Sequence, residues 1–154
     1  MSDIIDTAQD LKLDEFLPYL FNRITNRLNQ DLLRDLRPLR VSVPRWRVLA
    51  VLHARDGRRM GDLSAYTVIE QSSLSRVVDQ MERDKLVTRR NHLDDNRIIE
   101  VYLTGEGHAM FERIFPLAYG HYQLAINGLS EAERDTLVAL LHKILDNTRQ
   151  QPYP

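Results

Sequence analysis

One change of rhythm limits what this chain can become. From Leu74 to Met81 the apolar residues Leu74, Val77, Val78 and Met81 fall at i, i+3, i+4 and i+7, the step of a helix with one buried stripe. A few residues later the period drops to two. Leu86-Val87-Thr88-Arg89-Arg90 and Ile98-Ile99-Glu100-Val101-Tyr102-Leu103 read as two strands around the polar loop Asn91–Arg97. The segments on either side return to helical spacing. A single two-stranded ribbon in a helical chain excludes sandwiches, barrels and parallel α/β sheets, and leaves a mainly α fold with a small β-hairpin.

The helical segments have legible ends. Leu13, Phe16, Leu17, Leu20, Phe21, Ile24, Leu28, Leu32 and Leu36 predict a helix over 13–36, stopped by Pro38. Ser42 is a cap for a second helix, with Pro44 in its first turn and Asp56-Gly57 beyond its end. A short helix is expected over about 60–66. Thr104 caps a long helix running to about Asn127, bent or interrupted near Pro116. Ser130-Glu131-Ala132-Glu133 is a capping box that opens a last helix, with Leu137, Val138, Leu140, Leu141, Ile144 and Leu145 as its apolar face.

Charge adds a functional hint. The 154 residues carry a net charge of −1, but residues 40–97 have a net of +4 between ends of −2 and −3. A basic middle between acidic ends suits a polyanion-binding core on non-binding arms. The absence of cysteine excludes a disulfide framework, a thiolate nucleophile and a Cys-based zinc site. No run approaches the ~18 apolar residues of a membrane span, and the acidic start MSDIIDTAQD is no secretory signal, so the cytoplasm is the expected setting.

Helix, short helix, polar-faced helix and hairpin, in that order, make a winged helix-turn-helix. A reading helix must enter a major groove ~12 Å wide by a small, polar first turn. Gln71, Ser72, Ser73, Ser75 and Arg76 meet that demand: glutamine matches adenine and arginine matches guanine. The backbone N–H groups of the same turn are expected to favour a phosphate. In the hairpin, His92 and Arg97 lie at the tip and Arg89 and Arg90 at the base. An arginine there suits a minor groove, and a neighbouring carboxylate can brace its fork. The first and last helices carry more apolar surface than a small reading domain covers. Residues 4–36 and 110–145 are therefore expected to pair with a second copy, giving a two-fold dimer that reads an inverted repeat.

Three strings together carry a resemblance: LRPLRVSVPRWRVLAVL, DLSAYTVIEQSSLSRVVDQMERDKLVTRR and DDNRIIEVYLTGEGHAMFERI. Over about Leu36–Ile114 the chain resembles the MarR family of bacterial transcriptional regulators. The resemblance implies a homodimeric winged-helix regulator, usually a repressor, that binds double-stranded DNA and needs no cofactor. It implies Gln71, Ser72, Ser73, Ser75 and Arg76 as readers, Arg97 as the wing arginine, Asp95 as its brace, and Arg89 and Arg90 near the DNA backbone. It also implies release by a small aromatic or phenolic ligand in a pocket for which Tyr19, Arg23, Trp46, His53 and Phe111 are candidates. The implied organisation is an N-terminal dimerisation region over 1–38, a reading domain over 39–104 and C-terminal dimerisation helices over 105–154. Two positions depart from the family pattern. Lys85 stands where the family often has glycine, which suggests a different helix end. The wing reads Asp94-Asp95-Asn96-Arg97, one arginine short of many members.

Parts of the sequence also fit other classes. His108 and Glu112, one turn apart and near Glu106, suggest a metal-responsive or ligand-independent regulator of the same fold. A helical interaction dimer that leaves DNA alone would need the hairpin arginines idle. Catalysis has no support: His53, His92, His108, His121 and His142 are scattered, and there is no serine elbow or glycine-rich phosphate loop.

Overall fold

A computed structural model describes residues 12–93, 95 and 97–149. The chain divides into two compact units, one up to His121 and one from Tyr122. The first holds the core.

Helix α1 spans Leu17–Leu36, later than the residue-13 start that its apolar spacing predicts. Pro18 lies in its first turn, where a missing N–H costs nothing; carried further into a helix its ring would clash with the preceding turn. Residues 12–15 instead make a separate turn closed by Glu15 N–H to the Lys12 carbonyl at 3.0 Å. Leu13, Phe16 and Leu17 are left exposed, while Leu32 and Leu36 are buried at the other end of the helix. A 3-10 turn, Arg37–Leu39, contains Pro38 and ends on Arg40 in the left-handed region.

Helix α2, Val43–Ala54, begins as expected: the Ser42 hydroxyl accepts from the Arg45 N–H. Strand β1, Arg58–Arg59, is too short and too polar to show a period-two signal, and the sequence reading lacks it. Helices α3, Met60–Thr67, and α4, Gln71–Arg83, follow. Strands β2, Val87–Asn91, and β3, Ile99–Leu103, form the hairpin. Each starts one residue later than its pattern suggests. The sheet order is β1-β3-β2, all antiparallel, with Arg89 opposite Val101 and Arg58 opposite Val101 from the other side.

Helix α5 spans Gly105–Ala125 and includes Pro116. Thr104 caps it by accepting the Gly107 N–H at 3.0 Å. Gly107 is required where it stands: a Cβ there would lie 2.1 Å from the Leu86 carbonyl oxygen. Helix α6, Glu131–Arg149, belongs to the second unit. Its capping box is formed in both directions, Ser130 N–H to Glu133 at 2.8 Å and Glu133 N–H to the Ser130 hydroxyl at 3.3 Å.

The core gathers one face of each element in the first unit. Leu36, Val48, Leu49, Leu52, Leu63, Leu74, Val78, Met81, Val101 and Ile114 are fully shielded from solvent. Three of the four apolar positions predicted for α4 are among them, and Val77 packs at the margin. The helix therefore turns its other residues outward.

Candidate nucleic-acid interface

The first turn of α4 presents Gln71, Ser72, Ser73 and Arg76 as exposed residues, with Ser75 half-buried. Burial of Leu74, Val78 and Met81 fixes which side of the helix they occupy. The turn is closed by a residue the sequence reading passed over. Glu70 is the N-cap: its carboxylate accepts the Ser72 N–H at 3.1 Å, the Ser73 N–H at 3.2 Å and the Ser72 hydroxyl. These bonds, the Ser72 hydroxyl first, hold its carboxyl below the usual carboxylate range. These backbone N–H groups do not stand open to a phosphate as the sequence suggests, because a carboxylate of the chain already takes two of them. Glutamate is a less common cap than Ser, Thr, Asp or Asn, so a search for those residues misses it.

The end of α4 also differs from expectation. The sequence suggests a different helix end because Lys85 stands where glycine is favoured, yet Lys85 itself adopts the left-handed conformation, with φ of 60°. Leu86 N–H reaches back to the Met81 carbonyl at 2.8 Å and Lys85 N–H to Glu82 at 3.0 Å. Wrap-around bonds of this kind satisfy carbonyls that the helix cannot, and they outweigh a side chain's ~1–2 kcal/mol penalty in that region.

Arg89 joins the hairpin to α4. Its guanidinium donates to Asp79 at 2.6 Å and to Glu82 at 2.7 Å, and its backbone N–H donates to Glu82 at 2.9 Å. Burial works against its charge, but the bonds to Asp79 and Glu82 prevail and raise its pKa. The side chain expected near the DNA backbone is thus held within the chain. Arg90 is exposed, with its guanidinium 4.9 Å above the Tyr102 ring. Tyr102 donates to Glu100 at 2.7 Å, and that bond is the main reason its hydroxyl titrates above the usual range.

At the tip, Asp95 accepts from the Arg97 N–H at 3.0 Å and from Nε at 3.1 Å, and meets Nη2 at 3.4 Å. The Arg97 side chain is nonetheless 91% exposed, so the brace orients the cation without covering it. The same bonds, the Arg97 side chain first, hold the Asp95 carboxyl below its ordinary value. Asp94 and Asn96 lie outside the described residues.

The candidates for a ligand pocket fall into two groups. Phe111 stacks between Trp46, at 5.5 Å, and His53, at 3.7 Å, with His108 edge-on to His53. Phe111 is buried and belongs to the core, Trp46 packs against it, and His53 is exposed. Tyr19 and Arg23 instead pair with each other along α1, cation over ring at 5.6 Å. Among the described residues, no group of three or more His, Asp or Glu could hold a metal ion. Among the same residues, no helix is long and apolar enough to cross a membrane.

Known proteins place this arrangement. Residues 41–98 match the sequence model described as MarR family. The HTH-type transcriptional repressor IacR of Pseudomonas putida is 28% identical over 92% of this chain and 86% of its own length. The homoprotocatechuate degradative operon repressor of Escherichia coli is 29% identical over 71% of this chain and 75% of its own. A MarR-family transcriptional regulator from Silicibacter pomeroyi is 35% identical, covers 94% of this chain and 98% of its own, and superposes with a TM-score of 0.86. Bordetella bronchiseptica BpsR, whose DNA binding is regulated by 6-hydroxynicotinic acid, is 26% identical, with a TM-score of 0.76 over 88% of this chain and 97% of its own. S. aureus MepR, solved in complex with DNA, is 25% identical, with a TM-score of 0.74 over 86% and 98%. On the sequence motifs, the winged-helix geometry and a relative above 30% identity matched over nearly its whole length, the chain belongs to the MarR family of DNA-binding transcriptional regulators.

Proposed function

We propose that this regulator is a homodimeric repressor that reads an inverted-repeat operator and is released by a small aromatic or phenolic acid. The observation that carries the DNA reading is the pairing of an exposed polar turn, Gln71–Arg76, with a braced but open Arg97, on a hairpin that Arg89 ties to the same helix. One element suits the major groove and the other the adjacent minor groove. The reading domain is 39–104, and 1–38 and 105–154 are arms.

Exposed apolar side chains support the dimer. Ile24 on α1 is 55% exposed, and on α6 Leu137, Val138, Leu140 and Leu145 are all 43% exposed or more. Such faces need a partner, and a second copy supplies two reading heads about one helical turn of DNA, ~10 bp, apart. The ligand class is supported by the stacked Trp46, Phe111 and His53 rings, by Arg23 as a cation, and by two relatives whose names carry aromatic acids. Such a ligand acts through its different affinity for two spacings of the heads. The reading is of a regulator, not an enzyme, working in the cytoplasm beside the chromosome.

Selection from a random duplex pool, with sedimentation of the protein and its complex, tests this. The expected result is an inverted repeat bound by two copies, and loss of the complex on adding hydroxylated aromatic acids. A direct repeat or single half-site bound by one copy overturns the dimer reading. Indifference to a broad panel of aromatic acids overturns the effector reading.

A further inference from the structure

The DNA-facing turn has a neighbour that neither the motifs nor the family resemblance assigns. Tyr66, the last residue but one of α3, is 61% exposed, and its ring rests on the Arg58 guanidinium at 4.1 Å. Its hydroxyl has no hydrogen-bond partner among the described residues. Arg58 comes from β1, which pairs with β3 of the hairpin, so the platform under the ring is part of the wing sheet. Among the described residues the buried Nε of Arg58 has no hydrogen-bond partner, while its guanidinium lies over the Tyr66 ring.

The following turn is held rigid. Ser64 accepts the N–H groups of Val68 and Ile69 on its carbonyl, and its hydroxyl donates to the Ile69 carbonyl at 2.6 Å. Val68 is forced into the left-handed region, with φ of 54°, and is 82% exposed. A β-branched residue in that conformation is strained, and the surrounding bonds keep it there. Tyr66 therefore stands at a fixed place two residues before the turn that leads into α4.

On the reading that this chain binds DNA, we infer that Tyr66 donates its hydroxyl to a phosphate oxygen of the operator backbone, with Arg58 as the positioning residue beneath its ring. In a helix-turn-helix the helix before the reading helix crosses the sugar–phosphate backbone, and tyrosine is among the donors used there. Phosphate only accepts, and an unpartnered phenol is a donor. The cation under the ring draws electron density from the phenol and strengthens the O–H as a donor. Arg59, exposed beside it, adds positive potential.

The test measures Kd on the selected operator and on a scrambled duplex of equal length, for wild type and Tyr66→Phe, each also in an Arg58→Gln background. Phenylalanine keeps the stack and removes only the hydroxyl. The expected result is affinity lower by about tenfold on both duplexes with an unchanged base preference, the size of one hydrogen bond to a charged group. In the Arg58→Gln background the same substitution is expected to cost less, because the ring is no longer held. Equal affinity of wild type and Tyr66→Phe overturns the inference, and so does a loss confined to one base at one position. A wild-type protein that selects no duplex overturns the regulator reading itself and this inference with it.

Discussion

Gly107→Ala tests how the wing is joined to α5. The new Cβ would lie 2.1 Å from the Leu86 carbonyl oxygen and 3.1 Å from Leu103 Cδ2. Carbon and oxygen normally approach to about 3.3 Å, so the overlap is roughly 1.2 Å. A carbonyl oxygen cannot swing aside like the end of a side chain. Relief requires the start of α5 to move from the start of β2. Two hydrogen bonds cross that seam: Thr104 N–H to the Leu86 carbonyl, 3.1 Å, and the Thr104 hydroxyl to the Lys85 carbonyl. Overpacking costs about 1–3 kcal/mol and each of the two weakened bonds adds about 1 kcal/mol, giving about 3–5 kcal/mol. At ~2–4 °C per kcal/mol for a chain of this size, the melting temperature should fall by roughly 6–20 °C. Urea and thermal unfolding followed by circular dichroism measure it. Gly61→Ala is the control: its Cβ meets nothing within 4 Å, and it should be neutral or stabilising. A Gly107→Ala protein as stable as wild type would refute the geometry of this seam.

Three further outcomes are expected. Lys85→Gly should stabilise by about 0.5 kcal/mol, since relief from the left-handed φ exceeds the entropy that glycine adds to the unfolded chain; a lower urea midpoint would contradict it. Arg89→Ala should cost about 1 kcal/mol after allowing for solvent around a partly exposed group, and hydrogen exchange of the β2 amides should quicken; unchanged exchange would show that the tie to Asp79 and Glu82 is idle. Glu133, bonded to the Ser130 N–H and hydroxyl, has its pKa lowered from 4.5. Its support of α6 is therefore full above about pH 4.5 and fades as pH falls through the lowered value, a dependence that Glu133→Gln should flatten in acid titrations.

The architecture was legible because its signals are local and periodic. The four-residue stripe in α4 and the Ser130–Glu133 box each specify their element within about eight residues, and the hairpin pattern lies wholly between Leu86 and Leu103. What escaped depends on partners distant in sequence or on uncommon chemistry. Strand β1 exists only through its pairing with Val101 and Glu100, more than forty residues on. The role of Arg89 depends on the turn that brings β2 back along α4. Glu70 caps with a residue type seldom used for capping, so composition gave no sign of it. Lys85 shows the limit of a propensity argument, because tertiary bonds hold the unfavoured conformation. Arg97 and Asp95 were readable because an ion pair two residues apart needs no tertiary information.

Operator recognition is expected to need the first turn of α4 together with the wing arginine. The direct measurement is fluorescence anisotropy of wild type, Arg76→Ala and Arg97→Ala on the selected operator and on a scrambled duplex, across a range of salt. Arg76→Ala should lose about 1–3 kcal/mol of discrimination between the two duplexes, and Arg97→Ala should weaken both and lower the salt slope by about 0.9. If both variants match wild type in affinity, discrimination and salt slope, the claim that these residues read the operator is wrong.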